Sequence, residues 1–511
     1  MQRTSRLFRQ LAAGAAIGLG CGASLSAQAP GSHILTPSPA DPAIAAALRQ
    51  ISPERIRATI EKLVTFGNRS TLSSMETDLK PGTGVNAAAD WVASEFERYS
   101  AECGGCLQVK RDGYTEPGSS APNSRIQKPT KLTNIYAVLK GTDAAQADRR
   151  VLVTGHYDSR NSDNFNTHDA APGANDDASG VAVSLECARV LSKMKFPSSI
   201  VFVAVAGEEQ GLNGSKHLAQ LARAEVWKLE AVLNNDIVGG DTTPGETMAD
   251  KTAVRVFSEG VPPSVTPEQL RAIERLGAES DSPSRELARA IADVSASYFA
   301  TGQQRAPNPG PGKARSNAIA QVPAFHPVLI FRSDRFLRGG DHTSFNEDGF
   351  TAVRFTEWRE NFNHQHQNLR TENGVEYGDL LKFVDFDYVA NVARLNAAVL
   401  ADLAMAPGAP QNVHILTQAL DNNTELAWEA PAGAPATTAY EVLWRATDEP
   451  VWTMAQTVGS ATHVTLPVSK DNVVFGVRSV DAAGHRSIAV LPMPLARAAG
   501  PTRPARPAAK E

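Results

Sequence analysis

Four polar clusters constrain this chain more than any other feature: GHYDS at 155–159, PGANDDASG at 172–180, AGEEQGLNGS at 206–215 and LNNDIVG at 233–239. Each closes an apolar, strand-like run. Together they place His156, Asp158, Asp176, Glu208, Glu209 and Asp236 at successive strand ends, where an open α/β sheet gathers its ligands and catalytic groups. Carboxylates and an imidazole collected in this way predict a metal site.

The runs between the clusters set the fold class. NIYAVLKG at 134–141 and VLVTGHYDS at 151–159 read as strands, and a helix over 178–194 follows Asp177. SSIVFVAVAGEE is a second buried strand, and KHLAQLARAEVWKLEAVLNND runs from helix into strand. With helical periodicity over 41–65 and 84–100, the alternation predicts an α/β core with a mostly parallel, helix-covered central sheet. At 511 residues the chain exceeds one ordinary core. A catalytic domain is expected over 30–407, with a long insertion at 241–325. The insertion holds a polar helical stretch, 267–299, and the run QQRAPNPGPGKARSN, suited to a lid or substrate wall. Past Met405 the texture changes to short alternating runs with turn signals, which predicts a small all-β sandwich over 408–495. A Pro/Ala/Arg tail, 496–511, is expected to be disordered.

Residues 1–29 read as a secretory signal: Arg3, Arg6 and Arg9 precede an apolar run, with small residues at Ser26, Ala27 and Ala29 for cleavage. The protein is therefore expected to be exported, to a periplasm or out of the cell. In that setting Cys103 and Cys106 are expected to close a small disulfide loop, and Cys187 to be a buried free thiol in a helix. A net charge of −5 without a basic block among aromatics argues against nucleic acid as a partner. No later segment approaches ~20 consecutive apolar residues, so no membrane span is expected.

Two divalent ions held close together need a bridging carboxylate, further carboxylates and imidazoles, and an open position for water. Asp176, at a helix-start turn, suits the bridge. Asp158 is placed to accept the other ring N–H of His156 and fix its tautomer. In Glu208-Glu209, neighbouring side chains point in different directions, so one can bind metal while the other acts as general base. Asp236 adds a third acidic ligand, and the downstream imidazole comes from NFNHQHQN, 361–368.

These motifs resemble the M28 family of zinc aminopeptidases, from about Lys131 to Asp236 and again near Gly339. The resemblance implies a zinc-exopeptidase fold and two Zn2+ ions, one on His156, Asp176 and Asp236, the other on Asp176, Glu209 and a late histidine, with Glu208 as base. The family's last motif, a His followed four residues later by Asp, falls on His364 with Asn368 in the acidic position; His364 is preferred and His366 is the alternative. Asn363 stands where the family often has Tyr. Asp341 and His342 in RGGDHTSF resemble a family Asp-His pair and are expected on the rim of the substrate cleft. Arg332, Arg335 and Arg338 are either holders of a substrate carboxylate or ion-paired surface groups. Trp428, Tyr440, Trp444 and VRSVDAAGHRS resemble a fibronectin type III domain, expected to bind an unidentified surface or polymer. The expected activity is removal of N-terminal residues from peptides. The alternatives are a carboxypeptidase, a glutaminyl cyclase, which uses one zinc, and a non-catalytic binding or adhesion protein.

Overall fold

The structure is a computed structural model that describes residues 31–299, 324–418 and 421–495. The expected signal segment, the QQRAPNPGPGKARSN run and the tail lie outside the described residues. Eight strands form one large sheet: β1 (Leu107–Glu116), β2 (Thr130–Leu139), β3 (Arg149–His156), β4 (Ser199–Val205), β5 (Lys228–Asn235), β6 (Ala253–Phe257), β7 (His326–Ile330) and β8 (Ala352–Glu357). Their order is β1-β2-β4-β3-β5-β8-β6-β7. The middle strands β4, β3, β5 and β8 run parallel; β1 and β2 join antiparallel at one side, and β6 is antiparallel to β8 at the other. The sheet is thus mixed, with a parallel centre.

The central strands are apolar throughout because both faces are covered. Along β3 and β4, Val151, Val153, Ile200 and Phe202 enter the core under the helices Ala178–Leu191 and Phe386–Met405. The alternate residues Leu152, Val201 and Val203 pack with Leu218, Ala219 and Ala222 of the helix Asn213–Ala224 on the opposite face. The start of Ala178–Leu191 presses against the ends of β3 and β5: a Cβ on Gly180 would lie 2.1 Å from the Asn235 carbonyl oxygen. Only glycine permits that approach.

Two parts of the organisation differ from the sequence expectation. The region 241–325 is not wholly a lid, because β6 within it pairs with β8 and belongs to the main sheet. Its short VRVF alternation is flanked by polar segments that mask it. The helical stretch 267–299 is two helices, Pro267–Leu276 and Pro283–Tyr298, separated by the left-handed Gly277 (φ 63°) and restarted by the Ser282 cap ahead of Pro283.

The C-terminal all-β region consists of two four-stranded sheets. Its core contains Trp428, Tyr440, Trp444 and Phe475. The N-terminal strand His33–Ile34 pairs with Met454 and Ala455, so the edge of one of these sheets comes from the far end of the chain. The region packs on the helix Pro283–Tyr298 through polar contacts. Trp452 donates from Nε1 to Glu286 (2.9 Å), Arg289 donates to the Pro450 carbonyl (2.7 Å), and Arg445 pairs with Asp281. Cys103 and Cys106 are disulfide-bonded, and Cys187 is a buried free thiol. Among the described residues no helix is long and apolar enough to cross a membrane.

Trp452→Ala removes a buried ring and leaves Glu286 without its indole donor. We expect a loss of about 3–5 kcal/mol in urea unfolding, the range for a buried large aromatic.

Candidate metal centre

The C-terminal ends of β3, β4 and β5 converge on one point. His156 is the last residue of β3, and Asp236 directly follows β5. Beyond β4 the chain turns at Gly207 (φ 70°) and presents Glu208 and Glu209. The loop before the helix Ala178–Leu191 brings Asp176 across from the other side. Asp177 holds the loop down: its carboxylate accepts from the N–H groups of Gly180 (2.9 Å), His156 (3.0 Å) and Ile237 (3.3 Å).

Two groups of possible metal ligands result, His156 with Asp176 and Asp236, and Asp176 with Glu209 and His366. Asp176 belongs to both. Its Oδ1 lies 3.2 Å from His156 Nε2, and its Oδ2 lies 2.9 Å from His366 Nε2. His366 Nε2 is also 3.1 Å from Glu209 Oε1. His156 Nε2 and Glu209 Oε1 are buried and have no hydrogen-bond partner. Buried ring nitrogens and carboxylate oxygens that approach without hydrogen-bond alignment are arranged for a cation between them, so the donor set fits two divalent ions. His156 Nδ1 lies 3.2 Å from the Asp158 main-chain carbonyl oxygen and 3.4 Å from its carboxylate, which accepts from Thr71 Oγ1 (2.9 Å) and the N–H groups of Glu208 (3.3 Å) and Glu209 (3.2 Å). Asp158 fixes the imidazole and the Glu-Glu turn together.

The centre opens into a cleft of about 740 Å³, which Asp176, Glu208, Glu209, Asp236 and His366 line. Burial raises the proton affinity of the Glu208 carboxyl well above the ordinary carboxylate range; His156 opposes this, and the charges of Asp236, Glu209 and Asp341 add to it. Burial also works against a charged His366, yet Glu209 and Asp176 push its imidazole up to about 10.

The comparisons with known proteins now bear on this geometry. The model for Peptidase family M28 matches residues 134–274. A "Probable zinc metalloprotease" of Pyrenophora teres f. teres is 45% identical over 462 residues, covering 90% of this chain and 89% of that protein. A protein of the same description from Pyricularia oryzae is 44% identical over 460 residues, covering 89% and 85%. The chain belongs to peptidase family M28. Among solved structures, the Legionella pneumophila LapA aminopeptidase aligns with a TM-score of 0.46 at 19% identity, over 71% of this chain and 73% of that one.

In this M28 chain the late histidine beside the centre is His366, and the preference for His364 is corrected. The His364 ring stacks on Phe383 (3.8 Å between centroids), and its Nδ1 bonds Asp241. It anchors the loop, whose left-handed turn at His366 (φ 53°) swings the second ring into the cleft. Asp341 and His342 are not on the rim. Both are fully buried at the start of the helix Asp341–Glu347, and His342 Nε2 lies 2.7 Å from the Ser333 carbonyl oxygen. Neither lines the cleft. Burial, opposed by His156 and aided by Asp236 and Asp158, pushes the Asp341 carboxyl up to about 7.

Three supporting residues were invisible in the sequence. Arg354 is fully buried, 2.8 Å from Asp236 Oδ1 and 3.3 Å from Asp334 Oδ2. Arg69, also fully buried, donates to the carbonyls of Tyr157, Pro172 and Gly173 and so ties the Asp158 and Asp176 loops together. Burial pushes its guanidinium down to about 10 against the pull of Asp379 and Asp158. Asp379 accepts from the N–H groups of Asn175 (2.8 Å) and Asp176 (2.7 Å). NRS, VRF and YGD are unremarkable strings, and only tertiary structure brings them to the centre.

Two outcomes follow from this geometry. His366→Ala should lower the bound metal, whereas His364→Ala should keep the wild-type content and weaken binding about 10- to 100-fold by loosening the loop; metal titration with elemental analysis separates them. Glu360 supplies a pH test. Burial would raise its carboxyl, but Arg335, Arg354 and Arg255 hold it down, from an ordinary 4.5 to about 2. The unfolded chain therefore takes up this proton first. The carboxylate contributes about 3 kcal/mol above pH ~4.5, and this is lost as pH falls towards ~2. The stability gap between wild type and Glu360→Gln should close over that window in acid unfolding.

Proposed function

We propose that this chain is an exported aminopeptidase working with two zinc ions, one held by His156, Asp176 and Asp236, the other by Asp176, Glu209 and His366. The sharing of Asp176 between two imidazoles, 3.2 Å and 2.9 Å from its two oxygens, carries this reading. The mixed nitrogen and oxygen donors suit zinc, and relatives described as zinc metalloproteases support the choice. Bound zinc supplies Lewis acidity, polarising a peptide carbonyl and allowing a water to lose its proton near neutral pH.

The protein's own groups do the rest. Glu208 reaches the cleft without being needed in either ligand group, which places it to take a proton from the attacking water and pass it to the leaving amine. Asp158 keeps the His156 ring oriented throughout. Among the described residues Glu208 is the one cleft carboxylate outside both ligand groups, and it supports reading the free N-terminus as the end held at the centre. The Cys103–Cys106 disulfide and the signal-like pattern of residues 1–29 support export. The paired sheets over 411–480, packed around Trp428 and Trp444, support a fibronectin type III-like unit whose partner is a surface or polymer.

One observation favours a carboxypeptidase as second reading: the partly exposed Arg338 lines the cleft. N-acetylated dipeptides and C-amidated dipeptides separate the two, because an aminopeptidase cleaves only the second. For the chemistry, Glu208→Gln should retain about two zinc equivalents and lose about 10²–10⁴-fold in kcat on aminoacyl-p-nitroanilides. Loss of zinc along with activity would make Glu208 a ligand rather than the base.

A further inference from the structure

The cleft that holds four carboxylates also holds four arginines, Arg125, Arg160, Arg335 and Arg338. They are not equally engaged. Arg160 is held at each nitrogen, with Nε on Glu209 (2.8 Å), Nη1 on the Asn161 carbonyl (3.1 Å) and Nη2 2.6 Å from His366 Nδ1. Arg335 is 8% exposed and pairs with Asp334 (3.1 Å) and Glu360 (2.7 Å). Arg338 is different. Its side chain is 31% exposed, and its nearest polar partners are Glu360 at 3.4 Å and Gln365 at 3.5 Å. Glu360 already holds Arg335 and Arg255 at 2.7 and 2.8 Å, so Arg338 is a surplus cation there. Its guanidinium lies 5.9 Å from the centre of the Phe362 ring, on the cleft wall. Arg125 makes one hydrogen bond, to the Glu209 carbonyl (2.6 Å), and no ion pair among the described residues.

We infer that Arg125 and Arg338 recognise a substrate carboxylate, so that this peptidase favours substrates bearing an anion on the leaving-group side of the scissile bond. The inference rests on the peptidase reading of the same centre. Guanidinium groups bind carboxylates by paired, charge-assisted hydrogen bonds and lose little by leaving water to do so. Arg160 and Arg335 have surrendered that capacity to protein carboxylates; Arg125 and Arg338 keep it and face the cleft. The cleft therefore offers both charges: Glu208, outside both ligand groups, meets the ammonium end of a peptide, and the two lightly engaged arginines meet an anion. That anion is either the C-terminal carboxylate of a dipeptide or an Asp or Glu side chain next to the cleaved bond.

Four substrates test this on the zinc-loaded enzyme: Leu-Ala, Leu-Ala-amide, Leu-Glu-amide and Leu-Gln-amide. A 10- to 100-fold higher kcat/KM for Leu-Ala over Leu-Ala-amide identifies the C-terminal carboxylate, and the same excess for Leu-Glu-amide over Leu-Gln-amide identifies the side chain. In either case the double variant R125Q/R338Q should bring the ratio to about one, chiefly through a higher KM for the anionic substrate. Ratios near one in the wild type, or a wild-type preference that survives in R125Q/R338Q, overturn the inference while leaving the peptidase intact. No turnover of any of the four overturns the peptidase reading, and this inference with it.

Discussion

Everything at this centre depends on the cost of burying negative charge. Asp158, Asp176, Asp177, Glu209, Asp236 and Asp341 are all buried, on three strand ends and the loop and helix starts beside them. Two like charges 4 Å apart repel by about 4 kcal/mol at the effective dielectric near a protein surface, and more deeper in. Such a cluster is tolerable only where positive charge is brought in, and the fold brings it from several directions. Arg354 reaches Asp236 from β8, Arg160 reaches Glu209 from the loop after β3, and the two imidazoles lie against Asp176. The remaining negative charge and the two unpartnered ligand atoms are what bound cations would complete.

Holding those carboxylates in register is a backbone problem, and buried side chains solve it. The Asp176 loop has no ladder of its own. Its N–H groups go to Asp379, its carbonyls to Arg69, and Asp177 both caps the following helix and binds the ends of β3 and β5. Glu357, at the end of β8, accepts from Asn175 and from the N–H groups of Gly240 and Asp241. Through Asp241 the same network reaches His364, and from there the turn that presents His366. The ligand positions are set by hydrogen bonds that converge from segments more than 200 residues apart in sequence.

That connectivity explains which parts of the molecule were legible in the sequence. His156, Glu208, Glu209 and Asp236 could be picked out because each follows a run apolar enough to be a buried strand, and strand ends in such a sheet share one edge; Asp176 follows no strand and stood out at a helix start instead. The choice between His364 and His366 could not be made that way. Both lie in a loop with no period, and the deciding facts are a stacked Phe383 and a left-handed turn, neither of which spacing encodes. Arg69, Arg354 and Asp379 escaped for a related reason: a buried charge that answers another charge is recognised only beside its partner. The strand β6 escaped because five residues within a polar insertion give too short an alternation to stand out.

The C-terminal region is less separate from catalysis than its different texture suggests. Trp452 and Arg445 engage Glu286 and Asp281, and Arg289, on the same helix as Glu286, stacks its guanidinium 5.1 Å from the ring of Phe331. Arg285 of that helix donates to the Phe331 carbonyl (3.1 Å). Phe331 leads directly into the segment that carries Arg335, Leu337 and Arg338 on the cleft wall. Each contact along this line is buried or partly buried and directional, so the wall is braced from outside the catalytic sheet. A surface loop bearing cations and exposed apolar groups has little internal reason to keep one shape. Here its base is gripped by a helix that a second unit clamps in turn. The cleft wall is thus contacted at its base by packing far from the strands that carry the ligands.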